Sequence, residues 1–306
     1  MDVVVENISK TFGTQKAVDN VSFSVRKGEV LGILGPNGAG KTTIMRIITG
    51  FLFAGSGNVF INDLPINKNA YKLKHYIGYL SENNPLYEEM NVIDLLKFIA
   101  NIHNIPRYKI PTRVLDMIRI CGLENEKHKT IRELSKGYKQ RVGLAQALIH
   151  EPEIIILDEP TTGLDPNQIV DIRELIKEIG KEKTIILSSH ILAEIEATCN
   201  RVIILNKGKI VANGTSSELR STNGMKTLHI RLEGGNINDM YNAFSKIENV
   251  KFVDILDNDR ISIQVDTETD IEKDIFDLCN RFKWYIKELS PIEKGLEDIF
   301  RQLTQN

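Results

Sequence analysis

Apolar and polar residues alternate over Asp2–Glu6 and again over Ser22–Val25, on either side of the turn-forming pair Phe12-Gly13. This pattern predicts short antiparallel strands at the amino-terminal end. The apolar run that follows Glu29, through Leu34, predicts a buried strand, which the glycine-rich stretch GPNGAGKTT (Gly35 to Thr43) joins to a helix-like segment from Ile44 to Thr49. The period then lengthens. Asn91 stands as a helix cap before VIDLLKFIANIHN, Pro106 interrupts, and a second amphipathic run covers Thr112–Ile120. Residues of roughly 85–150 are therefore predicted mostly helical, as an insertion between strands. Strand character returns at Glu153–Leu157, Lys183–Leu187 and Arg201–Leu205, separated by helical periods. That alternation belongs to a parallel sheet covered on both faces.

From Ile210 the pattern changes. Gly214 to Arg220 reads as a short capped helix, and a domain boundary is expected within Thr222–Met225, dividing the chain into 1–222 and 223–306. The second part reads as strand (Lys226–Leu232), helix (Asn238–Ile247), strand (Val250–Leu256), strand (Arg260–Val265), helix (Ile271–Phe282), strand (Trp284–Leu289) and a last helix from Gly295. This is the split βαβ, ferredoxin-like order. The expected fold class is an α/β core with an antiparallel β part and a helical part, followed by a small α+β domain.

The chemistry concentrates between the first buried strand and its helix. GPNGAGKTT fits the phosphate-binding pattern G-x-x-x-x-G-K-[ST] at every fixed position. Gly35, Gly38 and Gly40, with Asn37 and Ala39 between them, let backbone N–H groups turn inward, and the helix presents its positive end to the same point. A nucleoside triphosphate is the expected occupant. Lys41 would reach its β- and γ-phosphates, a charge pair of about 4 kcal/mol near a protein surface. The Thr42 hydroxyl, beside Thr43, would hold Mg²⁺. A second apolar strand ends in adjacent carboxylates, Asp158 and Glu159. Asp158 is expected in the magnesium shell, and Glu159 is expected to orient and partly deprotonate the attacking water.

Length and composition narrow the choice. At 306 residues and 42% apolar content the chain can bury two cores. Its 39 basic against 41 acidic residues lack the cationic excess of a nucleic-acid binder. Residues 225–306 hold eleven basic and sixteen acidic side chains, against 28 and 25 in the rest, so the small domain is a poor grip for nucleic acid or anionic lipid. Cys121, Cys199 and Cys279 form neither a disulfide framework nor a metal-spaced pair, and His75, His103, His128, His150 and His229 follow no ligand spacing. The start MDVVVENISK has no secretory character, and no segment approaches the ~20 apolar residues of a membrane span. Direct membrane insertion is not expected.

Further motifs follow in a fixed order: LSKGYKQR (Leu134 to Arg141) opening a helix, TTGLDP (Thr161 to Pro166) after the carboxylates, and the His190 of SSH at the end of a strand. The set resembles the ATP-binding cassette family, the motor subunits of ABC transporters, over roughly Asp2 to Gly214. The resemblance implies a P-loop ABC ATPase that hydrolyses ATP to ADP and phosphate with Mg²⁺, working as a head-to-tail homodimer or paired with a similar cassette. It implies that Phe12 stacks on adenine with Val18 beside it, and that Ser135 and Gly137 touch the γ-phosphate of ATP held by a second copy. Asp165 then corresponds to the aspartate coupling the two sites, and His190 to the switch histidine on the γ-phosphate. Two departures stand out. Glu82, in GYLSENNP, takes the place of the usual glutamine and is expected to serve as a cation ligand beside the nucleotide. Lys136 and Tyr138 replace the usual glycine and glutamine of the signature.

Those spellings, with GLEDIFRQLT at the carboxyl end, are similar to cassettes of type 2 exporters, and YLSENNPLYEEM is similar to gliding-motility-associated members. The implied partner is an integral membrane permease, with the cassette peripheral on the cytoplasmic face of the membrane. The alternative is a soluble cassette ATPase acting on a non-membrane partner. Such proteins usually carry two cassettes or a long coiled-coil insert, and neither is present in this sequence.

Overall fold

The apolar runs of the sequence become strands buried on both faces. The computed structural model describes residues 1–221, 225–266, 270–292 and 296–304, and the chain divides into two units, Met1–Thr215 and Ser216–Asn306. In the first unit β1 (Val3–Phe12) and β2 (Gln15–Val25) pair antiparallel. They are longer than the sequence pattern suggested, because register shifts along β1 break the strict alternation. β3 (Val30–Leu34) is wholly buried and leads into α1 (Lys41–Ile48). β4 (Ser56–Ile61), β5 (Leu64–Pro65) and α2 (Ile66–Leu73) follow, and none of the three was evident from periodicity. β4 opens on three exposed residues, so its alternation shows only at Val59 and Ile61.

β6 (Ile77–Leu80) precedes the helical part, formed by α3 (Val92–Ile102), α4 (Ile110–Ile120) and α5 (Lys136–Leu148). The Asn91 side chain caps α3 by accepting from the Asp94 N–H at 2.8 Å. The core resumes with β7 (Ile154–Asp158), α6 (Pro166–Gly180), β8 (Thr184–Ser189), α7 (Leu192–Thr198), β9 (Arg201–Asn206) and β10 (Lys209–Gly214). The main sheet has the order β10-β9-β3-β8-β7-β6, parallel except for β10. A four-stranded sheet, β2-β1-β4-β5, lies beside it, and one apolar cluster from Val3 to Leu205 unites the two. β10 runs where the sequence suggested that the core had ended, since a half-exposed edge strand carries a weak apolar signal.

Two close approaches fix the helical part against the sheet. A Cβ at Gly78 of β6 would stand 2.2 Å from the Ala147 carbonyl oxygen of α5. The Asn84 Nδ2 donates to the Lys139 carbonyl at 2.8 Å, which ties the loop after β6 to α5, and the Lys139 ammonium meets Glu88 at 2.8 Å.

The second unit begins with α8 (Ser216–Ser221), ahead of the boundary expected after residue 222, which lies outside the described residues. β11 (Met225–Glu233), α9 (Ile237–Phe244), β12 (Val250–Asp257), β13 (Arg260–Asp266), α10 (Glu272–Phe282) and β14 (Tyr285–Ile292) form an antiparallel sheet of order β12-β13-β11-β14 with its own apolar core. α11 (Leu296–Thr304) closes the described chain, and the expected helix start at Gly295 lies outside the described residues. No described helix is long and apolar enough to cross a membrane.

Candidate active site

The carboxyl ends of β3, β7 and β8, neighbours in the sheet, deliver three loops to one place. After β3 the chain turns through Gly40, whose φ of 106° only glycine adopts readily and whose Cβ would stand 2.4 Å from the Ala17 carbonyl oxygen. Gly40 then caps α1 without a side chain, and the first turn of α1 holds no acidic residue. The free N–H groups of that turn point at an anion site.

The Lys41 ammonium is buried, donates to the Gly35 carbonyl at 2.8 Å and pairs with Glu159 Oε1 at 3.1 Å. Glu159 sits just past β7 with φ 51°, a left-handed backbone that costs a non-glycine residue on the order of 1 kcal/mol. The surrounding bonds hold it there. Its N–H donates to Ser188 Oγ at 3.0 Å, and its Oε2 accepts from His190 Nδ1 at 2.8 Å and from Thr162 Oγ1 at 3.3 Å.

Asp158 is fully buried, and its Oδ1 accepts from Ser188 Oγ at 2.7 Å and from Thr42 Oγ1 at 3.2 Å. Its Oδ2 is buried with no hydrogen-bond partner. A buried, unsatisfied carboxylate oxygen beside a threonine hydroxyl is the hard donor chemistry that Mg²⁺ prefers. Burial, with the Asp158 charge adding to it, pushes the Tyr79 phenol up to about 12, so Tyr79 stays a neutral neighbour.

A cleft of about 400 Å³ opens onto these groups, lined by Phe12, Lys41, Thr42, Glu82 and Glu159 together with Asn37, Gly38, Ala39 and Thr43. Phe12 is half exposed, and the Lys10 ammonium stands 5.7 Å from its ring centre. Val18 does not line the cleft. It is fully buried in the apolar core, and Gln15 and Ala17 face the cleft in its place, because successive side chains of β2 point to opposite faces.

Ser135, Gly137 and Asp165 also lie outside this cleft. Ser135 is exposed and caps α5, accepting from the Tyr138 N–H at 3.4 Å; Asp165 is exposed and caps α6, accepting from the Gln168 N–H at 2.9 Å. Gln168 packs so tightly on Gly137 that a Cβ there would be 2.5 Å from its Oε1, and a Cβ at Gly163 would be 2.0 Å from the Lys136 ammonium. The signature and the loop after β7 therefore meet within one chain.

Sequence reasoning missed two positioning devices. Ser188 bridges the Asp158 carboxylate and the Glu159 backbone N–H, and only its place in SSH hinted at it. Glu194 is buried on α7, accepting from Thr161 Oγ1 at 2.6 Å and Ser189 Oγ at 2.8 Å, and so joins the loops on either side of the Glu159–His190 contact. An acidic residue in a helix's first turn reads from sequence as a solvated one.

The family model "ABC transporter" matches residues 18–162, and "ATP-binding protein DrrA1-3-like, C-terminal domain" matches residues 214–304. An ABC transporter ATP-binding protein of Methanocaldococcus jannaschii is 40% identical over 218 residues, 71% of this chain and 79% of that one. In Bacillus subtilis, the linearmycin resistance ATP-binding protein LnrL is 35% identical over 237 residues (77% and 76%), and the ABC transporter ATP-binding protein YhaQ is 31% identical over 299 residues (97% of each). Among solved structures, a dimeric ATP-binding cassette in a post-hydrolysis state with ADP and Pi superposes with TM-score 0.65 at 25% identity, covering 70% of this chain and 98% of that one. A CbiO1 structure from Clostridium perfringens, part of the transporter complex CbiONQ, gives TM-score 0.65 at 32% identity, covering 71% and 89%.

Proposed function

Because this chain belongs to the ATP-binding proteins of ABC transporters and is an ATPase of that class, we propose that it is the motor of a DrrA-like, type 2 exporter, peripheral on the cytoplasmic face of the membrane through a permease partner. The observation that carries the chemistry is the Glu159 carboxylate, held at the phosphate cleft by Lys41, His190 and Thr162. ATP enters with its base against Phe12 and its phosphates over the N-terminus of α1. Its γ-phosphate draws Lys41 away from the loop carbonyls. That movement frees Glu159 Oε1 to accept a proton from water as the water attacks the γ-phosphorus in line, while the bond to the β–γ bridging oxygen breaks and ADP leaves with its electron pair. His190 keeps the other oxygen of Glu159 aimed and meets the γ-phosphate. Asp158, Thr42 and Glu82 would hold Mg²⁺, which supplies charge neutralisation for the phosphate oxygens.

A second copy supports turnover by presenting Ser135, Gly137 and Asp165, all of which lie outside this chain's own cleft; the matched dimeric cassette supports the same arrangement. Export, rather than import, is supported by the DrrA1-3-like carboxyl-terminal model and by the resistance relative. The gliding-motility resemblance rests on the loop after β6 alone, and the matched carboxyl-terminal model favours the DrrA-like branch.

Replacing Glu159 by Gln tests the chemistry. ATP binding is expected to persist while hydrolysis falls about 10²–10⁴-fold. Near-normal turnover in that variant would remove Glu159 from the reaction. For the partner, the same variant locked with ATP should copurify with a polytopic membrane protein from detergent-solubilised membranes. Recovery of soluble partners alone favours the non-membrane alternative.

A further inference from the structure

The second unit contains a cavity that the motor chemistry leaves unused. α9 lies against β12 and β13, α10 lies against β14, and between the helices a cavity of about 580 Å³ opens. Its lining includes Asp239, Ala243, Lys246, Arg281, Phe282 and Trp284. Cavities of roughly 300–1,000 Å³ that combine an aromatic surface with a few charged groups are the size and character of small-molecule sites.

The aromatic surface is built by a specific turn. Lys283 ends α10 with a left-handed φ of 59°, and the Phe282 and Trp284 rings on either side of it stack at 4.8 Å with 15° between their planes. Trp284 is anchored: it is 8% exposed and tilts against the fully buried Phe244 at 6.1 Å. Gly235 makes room for it, since a Cβ there would lie 2.4 Å from the indole nitrogen. Phe282, 49% exposed, therefore offers its second face to solvent from a fixed backing. The Arg281 guanidinium stands 6.0 Å from the Phe282 ring centre.

The charges are arranged against the trend of the unit. Its sequence, residues 216–306, holds seventeen acidic and twelve basic residues. Neither Arg281 nor Lys246 has a carboxylate within ion-pair distance among the described residues, as is also true of Arg260, Lys273 and Lys283, whereas Lys226, Arg231, Lys251 and Lys287 each do. Asp239 is the one carboxylate in the lining, and it lies in the first turn of α9, where the helix dipole offsets its charge. The cavity thus combines a rigid aromatic platform with two unpaired cations.

We propose that this cavity binds a planar aromatic anion, its ring stacked on the open face of Phe282 and its carboxylate paired with Arg281, with Lys246 adding to the positive field. The site needs no nucleotide and stands apart from the ATPase chemistry.

Trp284 is the only tryptophan of the chain, so its fluorescence reports on this cavity alone. The test titrates the full-length protein, without ATP, with 1-naphthoate and with its uncharged counterpart 1-naphthamide, and confirms stoichiometry by calorimetry. Saturable change in Trp284 emission at one naphthoate per chain is expected, with at least tenfold weaker binding of the amide. Arg281→Gln, an exposed substitution checked for folding by near-ultraviolet circular dichroism, should weaken naphthoate at least tenfold. Ala243→Leu, which fills the cavity, should abolish binding while ATP turnover is retained. Absence of saturation up to millimolar naphthoate, equal affinity for acid and amide, or unchanged affinity in Arg281→Gln would each overturn the proposal. A chain that binds naphthoate yet hydrolyses no ATP would leave this site standing and remove the motor reading instead.

Discussion

Replacing Ser188 by alanine removes one oxygen atom and disturbs the Asp158 carboxylate and the Glu159 backbone at once. Ser188 Oγ donates to Asp158 Oδ1 at 2.7 Å and accepts from the Glu159 N–H at 3.0 Å, and Ser188 is fully buried. A hydrogen bond to a charged group contributes about 1.5–3 kcal/mol, and a buried N–H left without a partner costs about 1–3 kcal/mol. The two losses share one cavity and one local relaxation, so about 3 kcal/mol is the expected sum. For a unit of this size that is a fall in melting temperature of about 6–12 °C. Catalysis should suffer beyond stability. Glu159 holds its left-handed φ partly through this bond, and a shift of about 1 Å in a catalytic group can cost about 10²-fold in rate. The assays are thermal denaturation followed by circular dichroism, and kcat by phosphate release at a temperature where the variant is still folded. Ser188→Cys, which keeps a weak donor and acceptor, should recover part of both. A Ser188→Ala protein that melts within 1 °C of the parent and turns over within twofold of it would refute the idea that this hydroxyl sets the carboxylates.

His150 gives the acid dependence. Burial, with the stacked His103 ring 3.9 Å away adding to it, holds its imidazole down to about 4, and its Nε2–H donates to the Ile77 carbonyl at 3.1 Å while Nδ1 is buried without a partner. A folded pKa below the unfolded value of about 6.5 means full stability above pH 6.5 and progressive loss as pH falls toward 4, about 2 kcal/mol by pH 4.5. Urea midpoints at pH 7.5, 6 and 4.5 should show this slope, and His150→Gln should flatten it. Glu194→Ala would strand the Thr161 and Ser189 hydroxyls, so stability should fall by about 2–3 kcal/mol. Its turnover should fall more than its ATP affinity, and Glu194→Gln should restore part of the loss; phosphate release and nucleotide titration check the split. Gly78→Ala would overpack the contact of β6 with α5 at an expected cost of about 1–3 kcal/mol, read as a lower urea midpoint.

Much of the candidate site was legible because its residues lie together in the sequence. The residues from Gly35 to Thr43 are contiguous, and Asp158 and Glu159 end a run of isoleucines that can only be a buried strand. His190 was legible from its order in the motif set, and the structure places it against Glu159. The second unit's strand and helix order was legible because each element is short, strongly periodic and bounded by turn residues. What escaped depends on tertiary context. Val18 and Ala17 are neighbours in sequence, and which of them faces the cleft depends on the register of β2. Glu194 resembles any acidic helix start until the hydroxyls of Thr161 and Ser189 are brought to it from 33 and 5 residues away. β5 and β10 are edge strands, and β4 and α2 expose much of their length, so in all four the apolar signal thins.

The single amide of Asn84 joins the loop that carries Glu82 to the helix that Ser135 caps. Glu82 lines this chain's own cleft, and Ser135 belongs to the surface it offers outward. With that bond intact, a nucleotide that displaces the loop displaces the signature helix of the same chain. In the proposed pair of cassettes, each subunit would then announce the state of its own cleft through the surface with which it grips its neighbour's ATP. The two sites would be wired in series through the backbone of each chain, and a pair with one dead cleft would misread both.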